Sequence, residues 1–383
     1  MSEKRVFSGG VLGKISAAYQ LGIKPVLFKQ PPEVGFTLTE EEQARAVAFM
    51  QKHPVIDAHA HPGRTFLRGA KHTGVLIKLY TLLGGFYEDR TLADMKAGGM
   101  DAVLFSGVAD IQLLTIGGGT LKARRGFRQG EAWQSYQTQL TNLKALATAG
   151  KVALCLGSED VLQAKGTGQR GAILSMEGAD FLEEDLSRVQ KVYDDGMRML
   201  TLIHYTDNTL GDTMTNLDGT RGLTGFGTEV VAAMNETGLM IDMSHASEKT
   251  TLAVMAQTRK PAVITHTHIN SEACSNARFV SEEVAHAVAE TGGYIGAWPV
   301  GLGMTTLAEF IDRIDFLVET VGEDHVALGS DMDANYKPVL ETYRKMPLVI
   351  GALFKRGYSE ERVAKFMGGN VLKVMDAAQA DPA

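Results

Sequence analysis

Several things are scarce in this chain, and each scarcity excludes something. It has only two cysteines, Cys155 and Cys274, far apart in 383 residues. Two thiols make no disulfide framework, so a reducing compartment is expected. No apolar run approaches the roughly 20 residues of a membrane span. The basic N-terminal stretch is broken by Lys14, Gln20 and Lys24, and the ending DAAQADPA carries no anchor signal. The net charge is a modest −7, which argues against nucleic acid or an anionic membrane as the main partner. These absences predict a cytoplasmic protein with a small-molecule substrate, and they leave a homodimer open.

What is present is a recurring alternation. Short apolar runs of strand type lie at 55–58, 102–106, 172–176, 199–203, 239–243, 262–265, 294–297 and 326–329. They are apolar on both faces, as strands covered on both sides must be. Amphipathic helical patterns at 229–236, 248–257, 282–291 and 307–320 fall between them. Eight such units predict an α/β fold, a (β/α)8 TIM-type barrel, in one domain over 53–383. Residues 1–52 read as an N-terminal extension ending in a helix that packs on the barrel. That helix opens at Thr39-Glu40-Glu41-Glu42, a capping box. The long second connection is irregular, and its apolar run at 152–156 competes for a place among the strands.

Histidine is also scarce, ten in all, yet two stand one residue apart in VIDAHAHPG at 55–63. Side chains at i and i+2 of a strand share a face. His59 and His61 therefore project together past the first run, where they can hold one divalent cation. Glu177, His204, His245, His266 and Asp331 end the third, fourth, fifth, sixth and eighth runs on the same side. That is the rim on which barrel active sites are built. A buried unpaired carboxylate is costly, and coordination keeps it ionised. Six strands ending in this way point to one shared metal site.

His59, His61, Glu177, His245 and His266 make five candidate ligands. A catalytic zinc takes three protein ligands and a water, so five suit two zinc ions with Glu177 between them. A water between two such ions becomes a nucleophile near neutral pH. Asp331 can take its proton and pass it to the leaving group. His204, if not a ligand, can polarise the scissile carbonyl.

These segments together resemble the membrane (renal) dipeptidase family, the M19 peptidases of the amidohydrolase superfamily. The resemblance runs in order from about 53 to 376 through VIDAHAHP, ILSMEGAD, GMRMLTLIHYTDN, GLTGFGTEVVAAMNETGLMIDMSHAS, PAVITHTHIN, ARFVSEEVAHAVAETGGYIG, HVALGSDMD and GGNVLKVM. It implies a (β/α)8 barrel with a binuclear zinc centre that hydrolyses dipeptides, some with a D-residue at the C-terminal side. It implies His59 and His61 on one ion, His245 and His266 on the other, and Glu177 as the bridge. His204 would contact the substrate carbonyl, Arg278 would pair with the terminal carboxylate, and Asp331 would be the acid/base. The chain departs from the family pattern at His61, where the family has Asp. The change removes a negative charge and is expected to retune the substrate choice. Ala60 and Ala334 also replace the family's usual Asn and Gly.

Two rival readings share these residues: cleavage of another small substrate, such as an N-acyl amino acid or a lactone, and a metal-binding scaffold without catalysis. Intact Glu177, His204 and Asp331 argue against the second. Among smaller signals, Asp57 is expected beneath the metals, Asp242 as a buried group capped by a neighbouring helix, and His268 as a loop residue or one that supports the ligands from behind. Gly117-Gly118-Gly119 is expected to be a flexible loop.

Overall fold

A computed structural model describes residues 31–71, 73–117, 120–216 and 221–380. Its strands are β1 (Ile56–Ala60), β2 (Ala102–Val108), β3 (Leu114–Gly117), β4 (Thr120–Ala123), β5 (Ala153–Leu154), β6 (Gly171–Glu177), β7 (Met197–Thr201), β8 (Met240–Asp242), β9 (Ala262–Thr267), β10 (Ile295–Ala297) and β11 (Val326–Leu328). The helices are α1 (Glu40–Lys52), α2 (Val75–Gly84), α3 (Glu88–Ala97), α4 (Glu131–Thr148), α5 (Ser158–Thr167), α6 (Ser187–Asp194), α7 (Gly225–Thr237), α8 (Glu248–Met255), α9 (Glu282–Glu290), α10 (Leu307–Val321), α11 (Met346–Lys355), α12 (Glu360–Ala364) and α13 (Asn370–Gln379).

Eight strands form a parallel ring in the order β1-β2-β6-β7-β8-β9-β10-β11. These are the eight apolar runs of the sequence, and the fold is the expected (β/α)8 barrel. The ring closes without a regular ladder between β11 and β1. One parallel bridge, Ala60 to Met332, joins them. The Asp331 amide donates to the His59 carbonyl and the His61 amide to the Met332 carbonyl, each at 2.9 Å.

The ambiguous run at 152–156 becomes β5, which lies outside the ring. It pairs with Gly171 and Ala172, while β7 pairs with β6 only from Leu174 onward. β5 thus satisfies the lower edge of β6 that β7 leaves bare. The triglycine region is not a plain loop: β3 and β4 form an antiparallel hairpin in which Gly117 faces Thr120. Gly118 and Gly119 lie outside the described residues.

Every ring strand is fully buried. The main core lies between strands and helices. A second cluster takes residues from seven of the ring strands, among them Leu104, Ile173, Met240 and Val263, with Tyr294 just before the eighth, and joins them to Val371, Val374 and Met375 of α13. Each such side chain, fully buried, is worth roughly 1.5–3 kcal/mol.

α1 begins as the capping box requires, with the Glu42 amide bonded to Thr39 Oγ1 and the Thr39 amide to Glu42 Oε2. It packs on α11 through Phe49 against Phe354, with Arg45 over the same ring. Residues 1–30 of the N-terminal extension lie outside the described residues. Among the described residues, no helix is long and apolar enough to cross a membrane.

Candidate active site

The residues singled out at the strand ends meet. Glu177, the last residue of β6, lies among five imidazoles. Its Oε1 is 3.4 Å from His59 Nε2, 3.3 Å from His245 Nε2 and 3.7 Å from His266 Nε2. Its Oε2 is 3.4 Å from both His61 Nε2 and His204 Nε2. Two further pairs close the cluster: His59 Nε2 to His61 Nε2 at 3.2 Å and His245 Nε2 to His266 Nε2 at 3.0 Å. Asp331 Oδ1 is 3.3 Å from His61 Nε2 and 4.0 Å from His59 Nε2. All of these residues are buried.

A metal pair fits this donor set. Two donors bound to one tetrahedral ion at about 2.0–2.1 Å lie roughly 3.3 Å apart. The observed N–N and N–O separations bracket that value. The imidazoles are also turned the right way. His61 Nδ1 donates to the Ser106 carbonyl at 3.0 Å, leaving Nε2 as a lone pair when the ring is neutral. His266 Nδ1 is 3.0 Å from Thr265 Oγ1, whose own hydrogen goes to Asp242 Oδ2 at 2.9 Å. His266 Nε2 is therefore a lone pair too. Lone pairs then face one another and Glu177 Oε1, a buried oxygen with no hydrogen-bond partner. Only a cation or protons between them make this arrangement favourable. Three groups here could each hold an ion: His59–His61–Asp331, His59–Glu177–His266 and Glu177–His204–His245.

Electrostatics favour the neutral, ligating form at three of the imidazoles. Burial, with the charges of neighbouring imidazoles and Arg278, keeps His59, His245 and His266 far below the usual histidine range. Neutral imidazole is the ligating form. Burial would also lower His61, but the hydrogen bond to Asp331 and the charge of Glu177 outweigh it and raise its affinity for protons. Burial raises the Glu177 carboxyl. His204 is pushed up to about 9, because Asp110 and Glu177 overcome its burial.

The supporting residues sit one layer out. Asp110 Oδ1 accepts from His204 Nδ1 at 2.6 Å. Asp57 holds the two ends of the ring together, accepting from the His59 and Ser330 amides, the Ser330 hydroxyl and the Tyr343 hydroxyl. Asp242 is buried as expected, but hydroxyls of adjacent strands satisfy it, not a helix. It accepts from Thr201 Oγ1 at 2.6 Å, from Ser244 and from Thr265. His245 and Asp331 adopt left-handed backbone, φ +68° and +52°. Such conformations outside glycine are costly and concentrate at functional sites.

Arg278 is 8% exposed and its Nη2 donates to His245 Nε2 at 3.1 Å. Its guanidinium also lies 5.1 Å from the Trp298 ring centre. His268 is buried beside Phe279, with neither ring nitrogen partnered, and joins none of the three metal-capable groups. The glycosylation sequon at Asn235 is closed off, since that side chain is buried and bonds Thr258. A groove of about 930 Å³ is lined by Asp180, Tyr205 and Thr213 but by none of the eight expected site residues.

Asp110 escaped the sequence reading because β2 runs two residues further than its apolar core, to Val108. Had the strand been extended, Val-Ala-Asp would have shown the same apolar-run-then-acid signature as the other strands. Thr265 carries no such signal.

The chain is similar to several known proteins. A dipeptidase of Clonostachys rogersoniana is 28% identical over 237 residues, 60% of this chain and 61% of that protein. The match thus spans about three fifths of the curated relative's length. A metallopeptidase of Rhodobacter sphaeroides, solved with a phosphinate mimic of L-Ala-D-Ala, superposes with a TM-score of 0.72 at 21% identity, covering 85% of this chain and 99% of its own. An amidohydrolase of Pseudomonas aeruginosa gives 0.68 at 21%, covering 87% and 99%. The family model of the membrane dipeptidases matches residues 43–382, and the chain belongs to that family, peptidase family M19.

Proposed function

We propose that this protein is a binuclear zinc-dependent hydrolase that cleaves the amide bond of dipeptides, including those with a D-residue at the C-terminal side. One observation carries the reading: a buried glutamate whose two oxygens are shared among five imidazoles. His59 and His61 would hold one ion, His245 and His266 the other, with Glu177 reaching both. When bound, the ions would lower the pKa of the water between them, supplying a hydroxide nucleophile near neutral pH.

The chain's own residues do the rest. Arg278, backed by Trp298, takes the terminal carboxylate through its planar fork and sets the register of the substrate. His204, kept in place by Asp110, donates from Nε2 to the scissile carbonyl oxygen. Asp331, at the mouth beside His61, accepts the proton of the attacking water and returns it to the departing amine. The ligand of the Rhodobacter relative supports the stereochemical part of the reading. We place the protein in the cytoplasm, a reading supported by Cys155 and Cys274, which are both free thiols.

The test combines metal content with a substrate panel. Zinc-loaded protein should contain two ions per chain and hydrolyse dipeptides carrying either L- or D-residues at the C-terminal side. One ion or none at saturation removes the binuclear reading. Inert dipeptides beside rapid turnover of an N-acyl amino acid or a lactone would move the chain to that other amidohydrolase chemistry.

A further inference from the structure

The loop leaving β1 carries an arginine that the chemistry above leaves unused. We propose that Arg64, framed by Tyr80 and Tyr87, is an anion pocket for the amino-terminal residue of the substrate and selects dipeptides that begin with an acidic side chain. This rests on the dipeptidase reading of the site.

Arg64 is 7% exposed, and its Nε and Nη1 are buried without a hydrogen-bond partner. Among the described residues it forms no ion pair, although a buried cation without an anion is costly. Its guanidinium lies 3.9 Å from the Tyr80 ring centre and 5.2 Å from that of Tyr87, faces that hold a cation without neutralising it. The nearby carboxyl, Asp333, is already engaged: its Oδ2 accepts from the Gly63 amide at 2.8 Å and from Thr91 Oγ1 at 2.6 Å.

The local backbone is shaped to hold this side chain. Arg64 has φ +64° and Gly63 φ +55°. A Cβ at Gly63 would strike the backbone of Glu88, and one at Gly84 would strike Arg64 Nη1. Gly84 thus leaves room for the guanidinium and Gly63 lets the loop pass Glu88, and a non-glycine residue held in left-handed backbone is a conformation that concentrates at functional sites.

The position gives the pocket its partner. Arg64 lies three residues beyond His61. The Tyr80 hydroxyl, its ionisation suppressed by burial, feels the charges of Arg64, Asp333 and Asp331. In the ring order, β1 and β8 are four strands apart, on opposite sides of the barrel. Arg278 stands on the β8 side, against His245. A dipeptide with its carboxylate at Arg278 and its carbonyl over Glu177 therefore turns its amino-terminal residue toward β1. A planar guanidinium that meets the two tyrosine hydroxyls but leaves Nε and Nη1 unpartnered suits a carboxylate there.

The test uses Glu-Ala and Gln-Ala, alike in shape and different by one charge. With zinc-loaded full-length protein, kcat/KM should favour Glu-Ala by at least about tenfold, the scale of one charge-assisted hydrogen bond. Arg64→Met should bring the ratio to near one, and Arg64→Lys should retain part of it. A wild-type ratio near one overturns the pocket, as does a preference that survives Arg64→Met. Should Arg64→Met fail to fold, the wild-type ratio and Arg64→Lys still decide. Calorimetry with free L-glutamate and L-glutamine gives a readout independent of turnover. Tighter glutamate binding beside inert dipeptides would leave the pocket standing and remove the dipeptidase reading. Dipeptide turnover without discrimination would do the reverse.

Discussion

The two sides of the metal-capable ring are held in place by different means. On the β1 side, His61 hangs from a main-chain carbonyl, that of Ser106. On the β9 side, His266 hangs from side chains, Thr265 and behind it Asp242. The nearby charges differ as well. Asp331 stands against His61, and Arg278 stands against His245. Of the four imidazoles only His61, beside Asp331, has its proton affinity raised, while burial and neighbouring positive charge lower those of His59, His245 and His266. An acid at one end and a cation at the other give the site a direction, which suits a substrate that carries an amine and a carboxylate at opposite ends.

Substitutions can break this comparison or sharpen it. The largest effect is expected where the two sides meet. Glu177→Gln should lower metal content below two ions per chain and reduce kcat/KM by at least about 10³-fold, on the order of 4 kcal/mol of lost transition-state stabilisation. Metal analysis beside steady-state kinetics checks it, and a variant holding two ions would sink the bridging role.

Next comes the acid of the β1 side. Asp331→Asn should cut kcat by about 10²–10⁴-fold, the range of a general acid–base group, while metal content stays near that of the wild type. Unchanged turnover would contradict the proton-transfer role.

The difference in anchoring predicts a smaller, one-sided effect. Thr265→Ala should weaken metal affinity by about 10–100-fold, as loss of a residue orienting a ligand does. Ser106→Ala leaves the main-chain anchor of His61 intact and should shift affinity by less than about threefold. Competition with a chelating dye separates the two, and equal losses would erase the contrast.

The smallest effect concerns stability. Burial, helped by the charge of Asp110, pushes the Asp180 carboxyl up to about 7. In the unfolded chain it titrates near 4. The folded state therefore holds the extra proton between those values. The stabilisation is complete below about pH 4 and is lost as the pH rises through about 7. Asp180→Asn removes that titration, so its melting temperature should gain a few degrees on the wild type between about pH 5 and 8. Parallel melting curves would disprove the link.

Much of this architecture was legible because the strands advertise themselves. A strand covered on both faces is a short apolar run, and an ionisable residue at its end has little reason to be there except function. That logic located Glu177, His204, His245, His266 and Asp331 without knowledge of any contact. It failed where meaning depends on a partner far away in sequence. Asp110 matters only through His204, 94 residues later. Thr265 is an ordinary strand residue until Asp242 lies beside it. Asp242 reads as a buried group capped by a helix, because alternation tells which face a residue takes and not what covers that face. The β3–β4 hairpin was hidden by glycines that read as loop.

The seam of the barrel has a consequence of its own. β11 and β1 are joined not by a ladder of their own but through residues 59–61, 331 and 332, and three of these five belong to the proposed site. The clasp that shuts the cylinder and the jaws that work on substrate are one piece of backbone. Loosening either loosens the other, so any drift in sequence that frays this joint would blunt the enzyme before it unravelled the fold.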